Sequence, residues 1–136
     1  MSSIFTKIIN GEIPCYKIAE DDKHFAFLDI NPLRLGHTLV IPKREEDYIF
    51  SLGDSEISDL IVFAKKVALA IERVIDCERI GVSVIGLEVP HTHIHLIPIN
   101  SVTDMTFGKP PVELSTEEFK ALAASISKAF IDQEIA

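Results

Sequence analysis

The sequence has no tryptophan, only two cysteines and only two methionines in 136 residues. Cys15 and Cys77 stand far apart and fit neither a CxxC pair nor a disulfide framework. A cystine-stapled scaffold is thereby excluded, and two reduced, mostly buried thiols are expected. Basic residues are the minority: 13 Lys and Arg face 21 Asp and Glu, for a net charge of −8. The basic residues are scattered among acids and form no stripe, which argues against a nucleic acid as partner. A small phosphate ligand is not excluded, because a local site can hold one against the global charge. No apolar run reaches membrane-spanning length, so no membrane partner is expected. The opening "MSSIFTKIINGEIP" carries charge too early for a signal peptide, and a soluble cytoplasmic protein is expected. Also missing are GxGxxG, a Walker A loop, a GxSxG elbow and HExxH. If a nucleotide binds here, those devices do not hold it.

What is present is one domain's worth of chain with 47% apolar residues, enough to bury a core without staples. Ile4, Phe5, Ile8 and Ile9 fall at helical spacing before the stop signals Gly11 and Pro14, which predicts a short N-terminal helix. "CYKIAED" and "HFAFLDI" read as two strands joined by a hairpin, and "HTLVIP" as a third strand ending at Pro42. Ile57, Leu60, Ile61, Ala64, Val67, Ala68, Ile71 and Val74 predict a long helix from Asp54 to about Val74, with Asp54 or Ser55 as its N-cap. "RIGVSVIG" and "HTHIHLIPI" read as two further strands with "GLEV" as a tight connection between them. After "GKPP", Ser115 and Glu118 form a capping box ahead of a helix at about 115–131, striped by Phe119, Leu122, Ala123, Ile126, Ala129 and Phe130. This order predicts an α+β fold on a mostly antiparallel sheet of about five strands.

Three of the five histidines crowd into "HTHIHL", at positions 91, 93 and 95. In one straight strand they share a face, with Thr92, Ile94 and Leu96 behind them. A metal is one reading. The Cα atoms of His91 and His95 would lie roughly 13 Å apart, so all three converge poorly on one ion. His24, His37 and Cys15 are further ligand candidates that no spacing recommends. Phosphorus chemistry is the second reading. A neutral imidazole is a good nucleophile near pH 7, and its neighbours can donate to phosphoryl oxygens. Three half-buried structural histidines are the plain alternative.

"HTHIHL" resembles the His-φ-His-φ-His-φ signature of the histidine-triad (HIT) superfamily, with Thr92 in the first apolar slot. "IFTKIINGEIPCYKIAEDDKHFAFLDINPLRLGHTLVIPK" looks like the opening of its nucleoside-phosphoramidase, or purine-nucleotide hydrolase, branch. The resemblance divides the chain into a HIT domain over 1–100 and a C-terminal extension over 101–136, packed on the domain or on a dimer partner. It implies a five-stranded antiparallel sheet, a homodimer, and hydrolysis at the α-phosphorus of AMP- or GMP-linked compounds through a nucleotidyl-histidine, with no cofactor or metal. By the same resemblance His93 is the nucleophile, the His91 carbonyl orients its ring, His95 hydrogen-bonds the phosphate and His37 supports them. Asp29 would accept from the ribose hydroxyls. Phe5, Ile8, Phe27, Ile30 and Leu39 would sandwich the purine.

Two departures stand out. Many bacterial relatives hold a structural zinc with a Cys-x-x-Cys pair and a later histidine, and here those positions are Ser3, Thr6 and Glu45. The glycine-rich loop before the triad is replaced by "GLEV". Leu87 cannot hydrogen-bond a phosphate, and Glu88 is either a general acid for the leaving group or a solvated loop residue. Two alternatives follow: a non-catalytic nucleotide-binding module, or a dinucleoside polyphosphate hydrolase using the same triad.

Overall fold

The computed structural model describes residues 2–135. Strands β1 (Lys17–Glu20), β2 (His24–Leu28), β3 (Thr38–Pro42), β4 (Arg79–Ser83) and β5 (Ile94–Ile99) form one antiparallel sheet in the order β1-β2-β3-β5-β4. Helices α1 (Ile4–Ile9), α2 (Asp54–Val74) and α3 (Thr116–Ile135) complete the fold. The α+β class and the strand count agree with the expectation. Among the described residues no helix is long and apolar enough to cross a membrane.

The sheet is apolar on both faces, so its central strands are fully buried rather than alternating. Ala26, Leu28, Val40, Ile94 and Leu96 point toward α2 and α3 and form the main core with Leu60, Val67, Ile71 and Ile126. Phe25, Phe27, Leu39 and Ile41 point the other way and pack with Phe5 and Ile8 of α1. That second, thinner layer carries the site.

Helix α2 has the predicted span, because its apolar spacing is unbroken over six turns' worth of chain. Its N-cap is Gly53, not Asp54 or Ser55. Glu56 folds back so that its carboxylate accepts from the Gly53 N–H at 2.9 Å, and this replaces a capping hydroxyl. In α3 the capping box forms as expected: Glu118 N–H donates to Ser115 Oγ, and Ser115 N–H donates to the Glu118 carboxylate. Phe119, Ala123, Ile126 and Ala129 are buried on its inner side, and Phe119 stacks on Tyr16 at 4.8 Å. The helix runs on to Ile135, past the expected end near 131. Its last turn is held by a Lys128–Asp132 pair and by Gln133 donating to the Lys66 carbonyl.

Three further expectations need correcting. Both cysteines are free but half-buried rather than mostly buried. Strand β4 stops at Ser83 and β5 starts at Ile94. "GLEV" is therefore part of a long irregular connection over 84–93, not a tight turn. His91 and His93 lie in that connection, so the three histidines do not form one row on one strand.

Candidate active site

His95 alone of the triad belongs to the sheet. It pairs with Leu39 across β3 and β5 and shares the α1-side face with Phe27. The segment just ahead of β5 is anchored through Thr92, whose N–H and hydroxyl both donate to the Glu46 carbonyl, at 2.6 and 2.8 Å. Thr92, read from sequence as core-facing, is instead this anchor. His37 enters from the loop before β3. Gly36 precedes it with φ +92, and a Cβ there would come within 3.0 Å of Ile75 and 3.2 Å of Pro98. Only glycine fits that turn, which delivers His37 against His95.

The backbone fixes the protonation of all four rings, since a carbonyl can only accept and an N–H can only donate. His93 Nδ1 lies 2.7 Å from the His91 carbonyl, so Nδ1 carries the hydrogen and Nε2 keeps a free lone pair. Leu33 N–H donates to His37 Nδ1 at 3.0 Å, so the hydrogen of His37 sits on Nε2. That hydrogen is donated to His95 Nδ1 at 2.9 Å, which leaves Nε2–H of His95 as a donor. His91 Nε2 lies 2.8 Å from the Pro42 carbonyl and must donate to it, so Nδ1 accepts from the Ser3 hydroxyl at 2.8 Å. A nucleophilic nitrogen on His93 thus stands beside a hydrogen-bond donor on His95, with ring centroids 5.1 Å apart.

Burial supports the neutral forms of His37, His91 and His95. It pushes His37 and His95 down to about 4, His95 further so because His37 and His93 are near it. His91 is lowered as well, again by burial first. Aromatic edges hold the rings: Phe5 meets His93 at 5.0 Å, and Phe107 meets His95 at 4.9 Å.

Two cavities open on this constellation. One, of about 270 Å³, is lined by Phe5, Ile8, Phe27, Asp29, Ile30, Leu39, Glu88, His93 and His95. The other, of about 300 Å³, is lined by Asp29, His37, Glu88 and His95 with Phe107 and Lys109. The structure therefore gathers every residue named for the nucleotide site except His91, whose ring lies outside both cavities; His24, named as a possible ligand, stands apart, stacked on Phe63 at 5.1 Å. Glu88 lines both of them. Asp29 accepts from Asn31 N–H at 2.8 Å and lies 3.5 Å from His37 Nε2, so it is at once a turn residue and part of the wall. Phe107 and Lys109 were not legible from sequence. They arrive from the C-terminal extension, which is tied back by Val112 N–H donating to the Pro32 carbonyl at 2.8 Å.

The HIT domain family model matches residues 10–102. The chain belongs to the HIT family. It is 41% identical over 130 residues to the adenosine 5'-monophosphoramidase of Schizosaccharomyces pombe, covering 93% of this chain and 97% of that one. It is 39% identical over 132 residues to an uncharacterized HIT-like protein of Borreliella burgdorferi, covering 91% and 95%. A crystal structure of a HIT-like protein of Bartonella henselae superposes with a TM-score of 0.81 at 30% identity, covering 94% and 96%.

A metal fits this HIT site poorly. Asp29, His37 and His95 offer ligand atoms within 4.8 Å of one another. Yet the lone pair of each of these two rings already accepts a hydrogen bond, and a metal needs that lone pair free. Ser3, Thr6 and Glu45 do meet at His91 Nδ1, but as hydroxyl and carboxylate groups bonded to one another.

Proposed function

We propose that this HIT protein hydrolyses AMP- or GMP-linked compounds of the phosphoramidate type at the α-phosphorus. The observation that carries the reading is the His93 ring, with Nδ1–H tied to the His91 carbonyl and Nε2 free beside the apolar cavity. Phe5, Ile8, Phe27, Ile30 and Leu39 hold the purine, and the Asp29 carboxylate takes the ribose hydroxyls. His95 Nε2–H donates to a phosphoryl oxygen, where charge grows in the transition state. His93 Nε2 attacks phosphorus, the N–P bond to His93 forms, and the P–N bond to the leaving amine breaks. The leaving amine takes its proton from a water molecule on the side that Glu88 lines, and that water is left as hydroxide. Water then attacks the nucleotidyl-histidine, its P–O bond forms as the His93–P bond breaks, its proton neutralises the hydroxide left by the first step, and the nucleotide leaves. The S. pombe relative's name supports the substrate class.

We infer also that the chain pairs with a second copy through β4. That strand is a sheet edge, and Val82 on it and Val84 and Ile85 just past its end are exposed. The deciding experiment is AMP release from adenosine 5'-phosphoramidate with a chelator present. Wild type should release AMP, and quenching should trap one AMP on His93. His93→Ala should stay folded and release none. Nucleotide binding with no release and no adduct would favour the binding-module reading instead.

A further inference from the structure

His91 is fully buried, yet its ring touches neither cavity. Both of its ring nitrogens are spent on the protein. Nε2–H goes to the Pro42 carbonyl at the end of β3, and Nδ1 takes the Ser3 hydroxyl from the residue that caps α1. Ser3 is itself fully committed. Its Oγ accepts from Thr6 N–H at 3.0 Å, and its backbone N–H donates to Glu45 Oε1 at 2.7 Å. Thr6 Oγ1 donates to the same Glu45 oxygen at 2.6 Å. The ring of bonds closes through three chain segments: the start of the chain, the residues after β3, and the connection ahead of β5. Ser3 and His91 are buried, while Glu45 seals the outer side. The main chain of His91 is pinned too, by its N–H donating to the Val89 carbonyl at 2.8 Å. What leaves this clasp toward the site is one group, the His91 carbonyl, which receives the His93 Nδ1–H.

We propose that Ser3, backed by Thr6 and Glu45, is a positioning residue for the nucleophile: its hydroxyl locks the His91 ring against Pro42 and so keeps the His91 carbonyl aimed at His93 Nδ1. The inference rests on His93 being the nucleophile. Loss of the Ser3 hydroxyl leaves the buried Nδ1 of His91 without its donor; Thr6 Oγ1, the other hydroxyl in reach at 3.5 Å, already gives its hydrogen to Glu45, so the ring turns to find a partner. The carbonyl moves with it. His93 then loses the bond that keeps its lone pair on Nε2 and pointed at phosphorus. Small misplacements of a reacting atom cut rates by up to about a hundredfold. Neither Ser3 nor His91 lines the nucleotide pocket, but Ser3 also caps the helix that carries Phe5 and Ile8; Glu45→Ala leaves that cap in place and separates the two effects.

Ser3→Ala should lower kcat for AMP release by roughly ten- to a hundredfold with KM nearly unchanged. The His93 Nδ1–H proton, downfield and slowly exchanging in the wild type, should broaden or move upfield. Ser3→Thr should return both. Glu45→Ala lies at the surface and folds whether or not Ser3→Ala does, and it should lower kcat in the same sense but less. Unchanged kcat in both variants would overturn the inference. So would a fall in kcat with the His93 proton unmoved, which is what a merely structural serine would give. If the wild type releases no AMP, the catalytic reading fails by itself. The His93 proton in Ser3→Ala then decides the clasp.

Discussion

His37 sits neutral in a place where it cannot easily take a proton, and that has a measurable consequence for stability. Burial lowers it from 6.5 to about 4. In the unfolded chain it titrates near its ordinary value of about 6.5. Between those two values the unfolded state binds a proton that the native state refuses, so stability rises with pH and is lost as pH falls. The drop from 6.5 to about 4, at about 1.4 kcal/mol per pH unit, is worth about 3 kcal/mol. By pH 4.5 about 2.5 kcal/mol of it is gone. Carboxylates lowered by their partners, such as Glu45 at about 2, lose their contribution below 4.5 and so fall outside this window. The assay is urea unfolding of wild type and His37→Gln at pH 7.5, 5.5 and 4.5. The Gln amide keeps a donor toward His95 but does not titrate. The wild type should lose about 2.5 kcal/mol more than the variant between pH 7.5 and 4.5. Equal losses in the two proteins, or a His37 ring that titrates near 6.5 by NMR, would refute the argument.

Two other outcomes test the frame around the site. Ile126 is fully buried between α3 and the main core, so Ile126→Ala should cost roughly 2–5 kcal/mol in urea unfolding at pH 7.5; a cost below about 1 kcal/mol would mean that α3 is not docked on its own sheet. Phe107→Ala removes the aromatic edge on His95 and one wall of the second cavity, and should change kcat/KM for bulky leaving groups by roughly 5–50-fold, more than for unsubstituted phosphoramidate. An equal change for both would place Phe107 on the nucleotide side instead.

Helices α2 and α3 were legible because a period of three to four persists for some twenty residues in each. The β1–β2 hairpin was legible because Asp21 sits where a turn needs a side-chain acceptor, and its carboxylate takes the N–H groups of Lys23 and His24. The start of β5 was not. Alternation in "HTHIHL" looks the same whether His91 and Thr92 hold ladder hydrogen bonds to a neighbouring strand or, as here, reach with ring and main chain to the last residue of β3, Pro42, and to Glu46 in the loop after it. The N-cap of α2 was missed because Glu56 can satisfy the first N–H groups from inside the helix. At the site, residue types and spacing pointed to His37, Asp29 and the triad together. Phe107 reaches His95, and Lys109 the cavity beside it, only through the path of the extension, and no local pattern encodes that path. Ser3 and Glu45 were singled out as changed zinc positions, but their bonds span 88 and 42 residues and form only when three segments meet.

The partners that set the histidine rings are, with few exceptions, main-chain groups: the carbonyls of His91 and Pro42 and the N–H of Leu33. No substitution of a side chain deletes them. The arrangement of protons is therefore a property of the chain's path rather than of its letters, and it is inherited by any sequence that follows this path. The cavity walls at Glu88 and Phe107 can change freely under such a scheme. A site built this way can drift in the shape of its cavities while the His93 nitrogen stays where it is.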